Sequence, residues 1–330
     1  MILQMLAEGK ITAEEADALL DALGTKTPPA PPHAAQRENI PEGIAGGLAG
    51  FAGRVATWGA DFGAKISEEI RDGRVPILRW IGDCFDGHES VTEKSGKFDC
   101  DEVEIECSCE AGSYILKGVE EDGYRLNIKQ RFGNADGPVI KEEGGRLLIK
   151  GSGIVRGELY LPQNLKYRIK LKSSAGRLEA ENLTITGGDI NTEAGSIRLD
   201  RLVTGSLSAK SSAGSVEGTA ITARDLRLES DCGRIHLELA PTTGGHCSLK
   251  TDVGSLSLVV PFRSDLGYRL RAQADVGSIW CSPEFSVEEE NKTVGHRRLK
   301  AETPGYRDRE NQVELELETD CGSIRVSGNA

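Results

Sequence analysis

The chain has 330 residues and a formal net charge of −12; 40 of its residues are glycine and only 5% are aromatic. Nucleic-acid binding depends largely on Lys and Arg that neutralise phosphates, so this acidic balance argues against a nucleic-acid partner. The chain shows no signal-peptide pattern at its start, and no run reaches the roughly 18 apolar residues that span a bilayer. We therefore expect a cytoplasmic protein, peripheral at the inner membrane face at most, with an aliphatic, small-residue core.

Residues 1–24 are predicted to form a helical hairpin. Its second helix begins with Thr12 as N-cap and Glu15 three residues later, which is a capping box, and it ends at Gly24. Residues 25–42 follow as a Pro-rich segment without apolar periodicity, which is typical of a stiff, extended linker. The hairpin is too small to fold well alone, so we expect it to dock on a partner or to dimerise.

Residues 43–82 are predicted to form an amphipathic helix followed by a cap. Large apolar residues recur at steps of four and three between residues 44 and 70, which places them in one stripe along the helix. Its central part is a possible docking stripe made of Phe51, Val55, Trp58, Phe62 and Ile66. Such a stripe can cap the end of a β domain, pair with its own copy or lie on a membrane surface.

A short phrase recurs between residues 98 and 328: a small hydroxyl residue, a polar residue, a small apolar residue, Gly, Ser or Arg, and a branched aliphatic residue. Successive glycines from Gly176 onward are 19, 19, 19, 21, 23 and 45 residues apart. A nearly fixed period indicates one supersecondary unit stacked on itself. The repeat-turn glycines are Gly112, Gly176, Gly195, Gly214, Gly233, Gly254, Gly277 and Gly322.

Apolar and polar residues alternate within each unit, which is typical of half-buried strands. A unit of 19 residues is too short for a strand and a crossover helix. We therefore predict a mainly β fold over residues 98–328, a single-chain β-solenoid (β-helix) with a tight, positive-φ turn at each glycine. The longest gap, before Gly322, exceeds two coils and predicts a loop or hairpin around residues 288–309.

The chain contains eight cysteines, and most occupy positions that we interpret as inward-facing. Cys232 and Cys321 replace the small apolar residue before glycine, Cys281 replaces a Leu, and Cys107 and Cys109 lie in phase with neighbouring apolar residues. Buried free thiols behave as small hydrophobic side chains. This usage favours a reducing compartment over a disulfide framework.

The sequence offers little catalytic or metal-binding chemistry. Its five histidines are scattered, it has no HExxH, GxSxG or P-loop motif, and no cofactor is predicted. One cluster stands out: Asp231, Asp252, Asp275 and Asp320 occupy the same turn position, and at least the first three are expected on neighbouring coils. Such a column is either a row of solvated turn caps, or a site where repulsion raises a pKa or a divalent cation binds.

Two segments resemble known families. Leu161-Pro162 with Tyr167-Arg-Ile-Lys-Leu-Lys-Ser-Ser-Ala-Gly176, together with the repeated Asp-Val-Gly-Ser phrases, resembles the bacterial "putative adhesin" β-strand-repeat family, a domain of unknown function. Residues 5–20 resemble the short SHOCT-like helical hairpin that often precedes that domain. The resemblance implies a β-helix-type domain with a role at or near the cell envelope, including envelope stress, and it supplies no catalytic residues.

These patterns predict a non-enzymatic scaffold or binding module whose outer face or edge coils bind an unidentified protein or a second copy. One alternative is an envelope protein held on the membrane surface by the helix at 44–70. The other is a polysaccharide-acting β-helix enzyme that uses the aspartate column, although the repeats offer few aromatic platforms for sugars.

Overall fold

The structure, a computed structural model, describes residues 89–131, 137–240, 243–293 and 296–329. The described chain is mainly β, as predicted, with a single 3-10 helix at Tyr306–Asp308. The predicted hairpin at 1–24, the linker at 25–42 and the helix at 43–82 with its docking stripe lie outside the described residues. The strands are β1 (Glu89–Gly96), β2 (Glu102–Val119), β3 (Tyr124–Arg131), β4 (Val139–Glu143), β5 (Arg146–Lys150), β6 (Ile154–Pro162), β7 (Lys166–Glu181), β8 (Thr184–Asp200), β9 (Val203–Ala213), β10 (Val216–Cys232), β11 (Ile235–Leu239), β12 (Gly245–Pro261), β13 (Leu266–Cys281), β14 (Ser286–Thr293), β15 (His296–Glu302) and β16 (Asn311–Asn329).

All of these strands belong to one sheet. Its order is β1-β3-β6-β2-β7-β8-β9-β10-β11-β12-β16-β13-β15-β14, with β5 beside the first part of β2 and β4 beside β5. Pairing is parallel from β6 to β13, whereas the strands at the two ends of the sheet pair in antiparallel fashion.

The parallel pairs join residues that are one repeat apart. Ser173 lies opposite Thr192, and Thr192 lies opposite Ser211, an offset of 19 residues each time. The chain therefore winds once per repeat, and neighbouring coils lie about 4.8 Å apart. The repeat glycine divides each coil into a first half before it and a second half after it. The β region begins at Glu89, ahead of the predicted boundary at residue 98.

The coils at the two ends are not stacked in sequence order. Strand β2 lies between β6 and β7, so Gly112 faces Val155 on one side and Gly176 on the other. Strand β16 lies between β12 and β13 in the same way, so Gly322 faces both Gly254 and Gly277. The chain thus skips one coil position after β6 and again after β12. We call the skipped positions, filled by β2 and β16, the N-terminal slot and the C-terminal slot.

The same sequence signature marks both skips: a proline, a short turn, and then Tyr-Arg at the start of the next coil. The Tyr167 hydroxyl donates to the Pro162 carbonyl at 2.7 Å, and the Tyr268 hydroxyl donates to the Pro261 carbonyl at 2.8 Å. Both rings are fully buried. Because a buried hydroxyl needs a partner, this bond fixes the path by which the chain passes over the slot.

The predicted hairpin near residues 288–309 is present as β14 and β15, which pair in antiparallel fashion. Strand β15 extends the first half of β13, from Arg269 to Ala274. Among the described residues, no strand extends the second half of β13. At the other end, β4 and β5 extend the first half of β2, and β3 and β1 extend the second half of β6.

Inward side chains of successive coils form the core. Leu171, Ile190, Ala209, Leu228 and Leu249 are at most 1% exposed, and fully burying a Leu or Ile contributes about 1.5–3 kcal/mol. Continuous columns of this kind bind each coil to its neighbours.

The cysteine prediction is partly wrong. Cys107 and Cys109 are buried, as predicted, and Cys281 is half-buried. Cys232 and Cys321 are exposed, because the residue before each repeat glycine points outward at the corner of the coil. Both lie opposite Val253, in an outward column of small residues.

Candidate functional site

The repeat glycines form one column along a corner of the coils. A Cβ atom on any of them would lie 1.6–2.0 Å from the carbonyl oxygen of the facing residue one coil away. No side chain tolerates that distance, so close approach of the coils demands glycine. A positive φ adds to this demand at Gly112, Gly176, Gly214, Gly254 and Gly277. The predicted tight turn is instead a bend inside a strand, since β7, β8 and β12 run through the corner unbroken.

A hydroxyl residue lies three positions before six of the eight repeat glycines, and at three of these corners it bonds the glycine carbonyl of the neighbouring coil. Ser211 Oγ donates to the Gly195 carbonyl, and Ser230 Oγ donates to the Gly214 carbonyl, each at 2.9 Å. Both hydroxyls are buried. The glycine lets the neighbouring carbonyl approach, and the hydroxyl then satisfies it. The recurring phrase is therefore structural, and its glycines are not a ligand site.

The aspartate column has a different order from the one predicted. Asp231 faces Asp252, but Asp320 stands between Asp252 and Asp275, because β16 fills the C-terminal slot. The prediction that the first, second and third lie on consecutive coils is therefore wrong. The glycine column has the same interruption.

Basic side chains flank this column. Lys210 Nζ lies 3.3 Å from Asp231 Oδ1, and His296 Nδ1 lies 2.9 Å from Asp275 Oδ1. A hydrogen bond to Glu318 raises the pKa of Lys250, and the nearby aspartates add to the effect. Within the part of the chain that the structure describes, no group of three or more His, Cys, Asp and Glu residues is arranged to hold a metal ion. The geometry is that of solvated, charge-balanced turn caps.

The strand in the N-terminal slot is acidic, and its neighbours are basic. Glu102, Glu104 and Glu106 of β2 lie opposite Lys166, Arg168 and Lys170 of β7. On the other side, Arg146 of β5 donates to Glu106 at 2.6 Å. That hydrogen bond lowers the pKa of Glu106.

The strand in the C-terminal slot repeats this arrangement. Glu314 and Glu316 of β16 lie opposite Arg269 and Arg271 of β13. On the other side, Lys250 of β12 lies 3.1 Å from Glu318. Opposite charges on facing residues stabilise a strand pair, so charge helps to select the strand that fills each slot.

A polar network closes the N-terminal end. Glu142 of β4 accepts a hydrogen bond from Tyr124 of β3 at 2.6 Å and lies 2.7 Å from Lys94 of β1. These two partners lower the pKa of Glu142, with the Lys94 contact the larger cause. Phe98 stacks on the Tyr124 ring at 4.6 Å between centroids. The network ties the extension of the first half to that of the second half.

The C-terminal end is asymmetric, and this makes it a candidate docking site. We call residues Gly277–Cys281 of β13 the open edge. They pair with β16 on one side, whereas the pairing of β13 with β15 ends at Ala274. Trp280 in this edge is 45% exposed, and the Arg325 guanidinium lies 4.7 Å from its ring centroid.

The clefts on the described surface are shallow and charged. One of about 390 Å³, between β13, β15 and the 3-10 helix, is lined mainly by Arg269, Arg271, Lys300, Arg307, Glu288 and Glu302. Small-molecule sites are usually concave and mostly apolar, so this cleft does not resemble one. Arg269 is also engaged, since it donates to Glu302 at 2.6 Å.

Two features of this site are absent from the sequence interpretation: the slots and the open edge. The signals for the slots lie in the sequence, as the duplicated Pro-to-Tyr-Arg segments and as the two acidic strands flanked by basic ones. No signal marks the open edge, because an edge depends on which strands fail to pair. No helix in the described ranges has the length and apolarity needed to cross a bilayer.

Comparisons with known proteins place the chain in a family. No curated protein matches it. Among solved structures, it is similar to a "putative cell adhesion protein" from Clostridium sporogenes, at 14% identity and a TM-score of 0.38, over 73% of this chain and 100% of that one. A "putative adhesin" from Bacteroides fragilis matches at 9% identity and a TM-score of 0.34, over 72% and 97%. A "putative adhesin" from Parabacteroides distasonis matches at 10% identity and a TM-score of 0.29, over 72% of this chain and 97% of that one.

The family models give a sharper result. The model of the SHOCT-like domain matches residues 1–27, in agreement with the resemblance noted for residues 5–20. The Toastrack DUF4097 model matches residues 101–329, which is most of the chain and nearly all of the described sheet. The chain therefore belongs to the Toastrack DUF4097 family and carries a SHOCT-like domain at its start.

Proposed function

We propose that this protein is a non-enzymatic scaffold or binding module of the bacterial cell envelope, built as a rigid β-solenoid. The observation that carries this proposal is the double slot. Because β2 and β16 are each paired along both sides, the stack of coils is fastened near both ends. Outward side chains then recur about every 4.8 Å on a stiff support, which suits recognition of an extended partner.

The charged groups support binding over catalysis. Glycoside hydrolysis needs two carboxyl groups that flank one scissile bond. In the aspartate column, Asp231 lies beside Lys210 and Asp275 lies beside His296. The polysaccharide-acting enzyme is therefore the weaker alternative.

The partner in this proposal is a protein or a second copy of the chain. Its place is the cytoplasm or the inner membrane face, with the SHOCT-like domain and the stripe at residues 51–66 as assembly or docking elements. A membrane-surface role of that stripe is a separate candidate, favoured by the concentration of Phe51, Trp58 and Phe62 in an aromatic-poor chain.

Photo-crosslinking in living cells tests the binding role. A photoreactive residue replaces Ser208 on the first-half face, Ser257 on the second-half face, or Arg201 at the opposite corner, each in the full-length protein. We expect irradiation to give an adduct of defined mass from one of these sides and not from the others. The proposal fails if no position gives an adduct while the purified protein releases soluble sugar from a bacterial polysaccharide.

A further inference from the structure

We infer that the open edge, Gly277–Cys281, is an acceptor for one extended strand of a partner protein that carries the repeat's own pattern. This inference rests on the proposed binding function and names its site and the chemistry of its partner. Pairing of a peptide strand with an exposed sheet edge is a common mode of recognition, in which main-chain hydrogen bonds provide the affinity.

Earlier coils show which groups the open edge presents. Gly214 N–H donates to the Cys232 carbonyl of the next coil at 3.0 Å, and Val216 N–H donates to the Arg234 carbonyl at 3.0 Å. Gly277 and Ile279 are the equivalents of these donors in the last coil of the parallel ladder. Their N–H groups therefore point away from β16, toward the position that a further coil would occupy.

The same comparison shows what an incoming strand must supply. In earlier coils the glycine carbonyl accepts a hydroxyl from the next coil, as Gly195 does from Ser211 at 2.9 Å. A Cβ at the facing position would overlap that carbonyl, as it would at Gly214. The residue that would supply this hydroxyl lies opposite Ala274, where Arg297 of β15 is already paired. The incoming strand therefore begins after that position and needs a glycine opposite Gly277. After the glycine it needs the alternation that Gly322–Val326 already shows on the inner side of the open edge.

Charge distinguishes the open edge from the other edges of the sheet. Strand β1 contains Glu and Lys, β4 contains Lys and two Glu, and β14 contains three Glu. Charged residues on an edge discourage pairing with other chains. The open edge reads Gly-Ser-Ile-Trp-Cys and has no charged residue. Among the sheet edges formed by the described residues, it is thus the one that remains competent to pair.

The shape of this end limits the occupant to a thin element. Strands β15 and β14 extend the first half of β13 by two strands, or about 10 Å, whereas the second half ends at the open edge. The result is a recess with the width of one or two strands, bordered by the hairpin. One extended segment fits beside Ile279 there, whereas the end of another solenoid would meet the hairpin.

A labelled peptide titrated with the full-length protein tests this inference. The peptide has the sequence of residues 321–326 with Ala in place of the cysteine, Ala-Gly-Ser-Ile-Arg-Val, because that segment already pairs with β13 in register on the inner side of the open edge. We expect saturable binding by fluorescence anisotropy. A control peptide with Val in place of glycine should not bind, since its side chain would overlap the Gly277 carbonyl.

Two variants locate the binding. Ile279→Pro removes the outward N–H and should weaken binding at least about tenfold. A change of that size corresponds to the loss of roughly one hydrogen bond. Ile279→Val keeps the N–H and should bind within about twofold of the unmodified protein. Circular dichroism establishes that both variants fold.

If Ile279→Pro does not fold, hydrogen exchange on the unmodified protein tests whether the peptide pairs with the open edge. The Ile279 amide should exchange rapidly without peptide and slowly with it. Absence of saturable binding, equal binding to the proline variant, or an Ile279 amide that is protected before peptide is added would overturn the inference. If the peptide fails while Ser208 or Ser257 still yields crosslinked adducts, the binding module remains and only this site is lost.

Discussion

At the scale of single residues, glycine and hydroxyl act as a pair at the corners where Ser211, Ser230 and Thr251 bond the neighbouring glycine carbonyl. Gly214→Ala places a methyl group where the Gly195 carbonyl oxygen lies, at a nominal 1.9 Å, and forces an alanine into a positive φ. We expect a loss of about 3 kcal/mol in the free energy of unfolding. Ser211→Ala should cost about 1 kcal/mol, because it removes the hydrogen bond to the same carbonyl.

Urea denaturation of the full-length protein measures both effects. The matched control is Gly187→Ala, because a Cβ there would lie 3.9 Å from its nearest neighbour, the Ser206 carbonyl oxygen. That variant should stay within about 0.5–1 kcal/mol of the unmodified protein. Equal losses at Gly187 and Gly214 would mean that the close approach of coils is not the reason for the repeat glycine.

The opposite corner contains residues whose backbone favours glycine although none is present. Ala220 has φ 54° in the left-handed region, as do Arg201 one coil away and Asn182 two coils away. The left-handed conformation costs a non-glycine residue about 1–2 kcal/mol. Ala220→Gly removes this cost but adds about 0.5–1 kcal/mol of chain entropy. We expect a net gain in stability of up to about 1 kcal/mol.

The melting temperature measures this gain. The control is Ala213→Gly, at a half-exposed strand position without a positive φ, which should lower the melting temperature. If both glycine variants were destabilised by the same amount, the left-handed backbone at Ala220 would not be strained.

At the scale of elements, the passage over each slot depends on the tyrosine that follows the proline. Tyr268→Phe keeps the ring beside Phe262 and Phe285 but removes the hydrogen bond to the Pro261 carbonyl. We expect a loss of about 1 kcal/mol in unfolding free energy. Burial raises the pKa of Tyr268, so the hydroxyl stays protonated and this loss should not vary with pH near neutrality.

Tyr160→Phe is the comparison for this element. The Tyr160 hydroxyl donates to the Glu158 carboxylate at 3.2 Å on the outer face, where water can replace it. Its removal should change the unfolding free energy by less than about 0.5 kcal/mol. A cost at Tyr268 no larger than that at Tyr160 would show that the passage over the slot is held by other contacts.

The cap formed by Lys94, Tyr124 and Glu142 should respond to acid. The folded pKa of Glu142 is lowered from its ordinary value of 4.5, so its contribution is complete above that value. It is lost as the pH falls through the folded pKa. Glu142→Gln should therefore have a lower melting temperature than the unmodified protein at pH 7. The corresponding loss in the free energy of unfolding should be less than about 1 kcal/mol for so exposed a group. The difference should shrink at pH 3, which is below the ordinary pKa, because the unfolded chain is then protonated at this residue.

Thermal melts at the two pH values give this comparison. Glu143→Gln removes a charge at the adjacent, exposed position and should leave the pH dependence unchanged. If the gap between Glu142→Gln and the unmodified protein were the same at both pH values, Glu142 would not act through its charge.

At the scale of the whole molecule, local patterns were predictable from the sequence and the order of stacking was not. Alternation and the constant period reveal strands, the coil length and the hairpin before β16, because each of these depends on neighbours in the chain. The positions of Asp320 and Gly322 in their columns could not be predicted in this way. They depend on the insertion of β16 between β12 and β13, which precede it by many residues in the chain. The sequence analysis predicted that Cys232 faces inward, but it is exposed. The bend at the repeat glycine interrupts the inward-outward alternation on which that prediction depended.

Residues before Glu89 carry a prediction that rests on sequence alone. The docking stripe brings Phe51, Trp58 and Phe62 together in a chain with few aromatics, and an apolar helical stripe of this kind binds membrane interfaces. If the protein works on the inner membrane face, full-length protein should float with anionic liposomes. Trp58→Asp with Phe62→Asp should abolish flotation, because charge in the stripe opposes insertion into the apolar boundary.

The control places the same two charges on the opposite side of the predicted helix, as Ala60→Asp with Ala64→Asp. We expect this variant to float like the unmodified protein, since its stripe is intact. If both double variants lose flotation equally, net charge governs the attachment and the stripe does not. If the unmodified protein stays at the bottom of the gradient, the stripe serves contacts between proteins, and the scaffold proposal gains at the expense of the membrane-surface alternative.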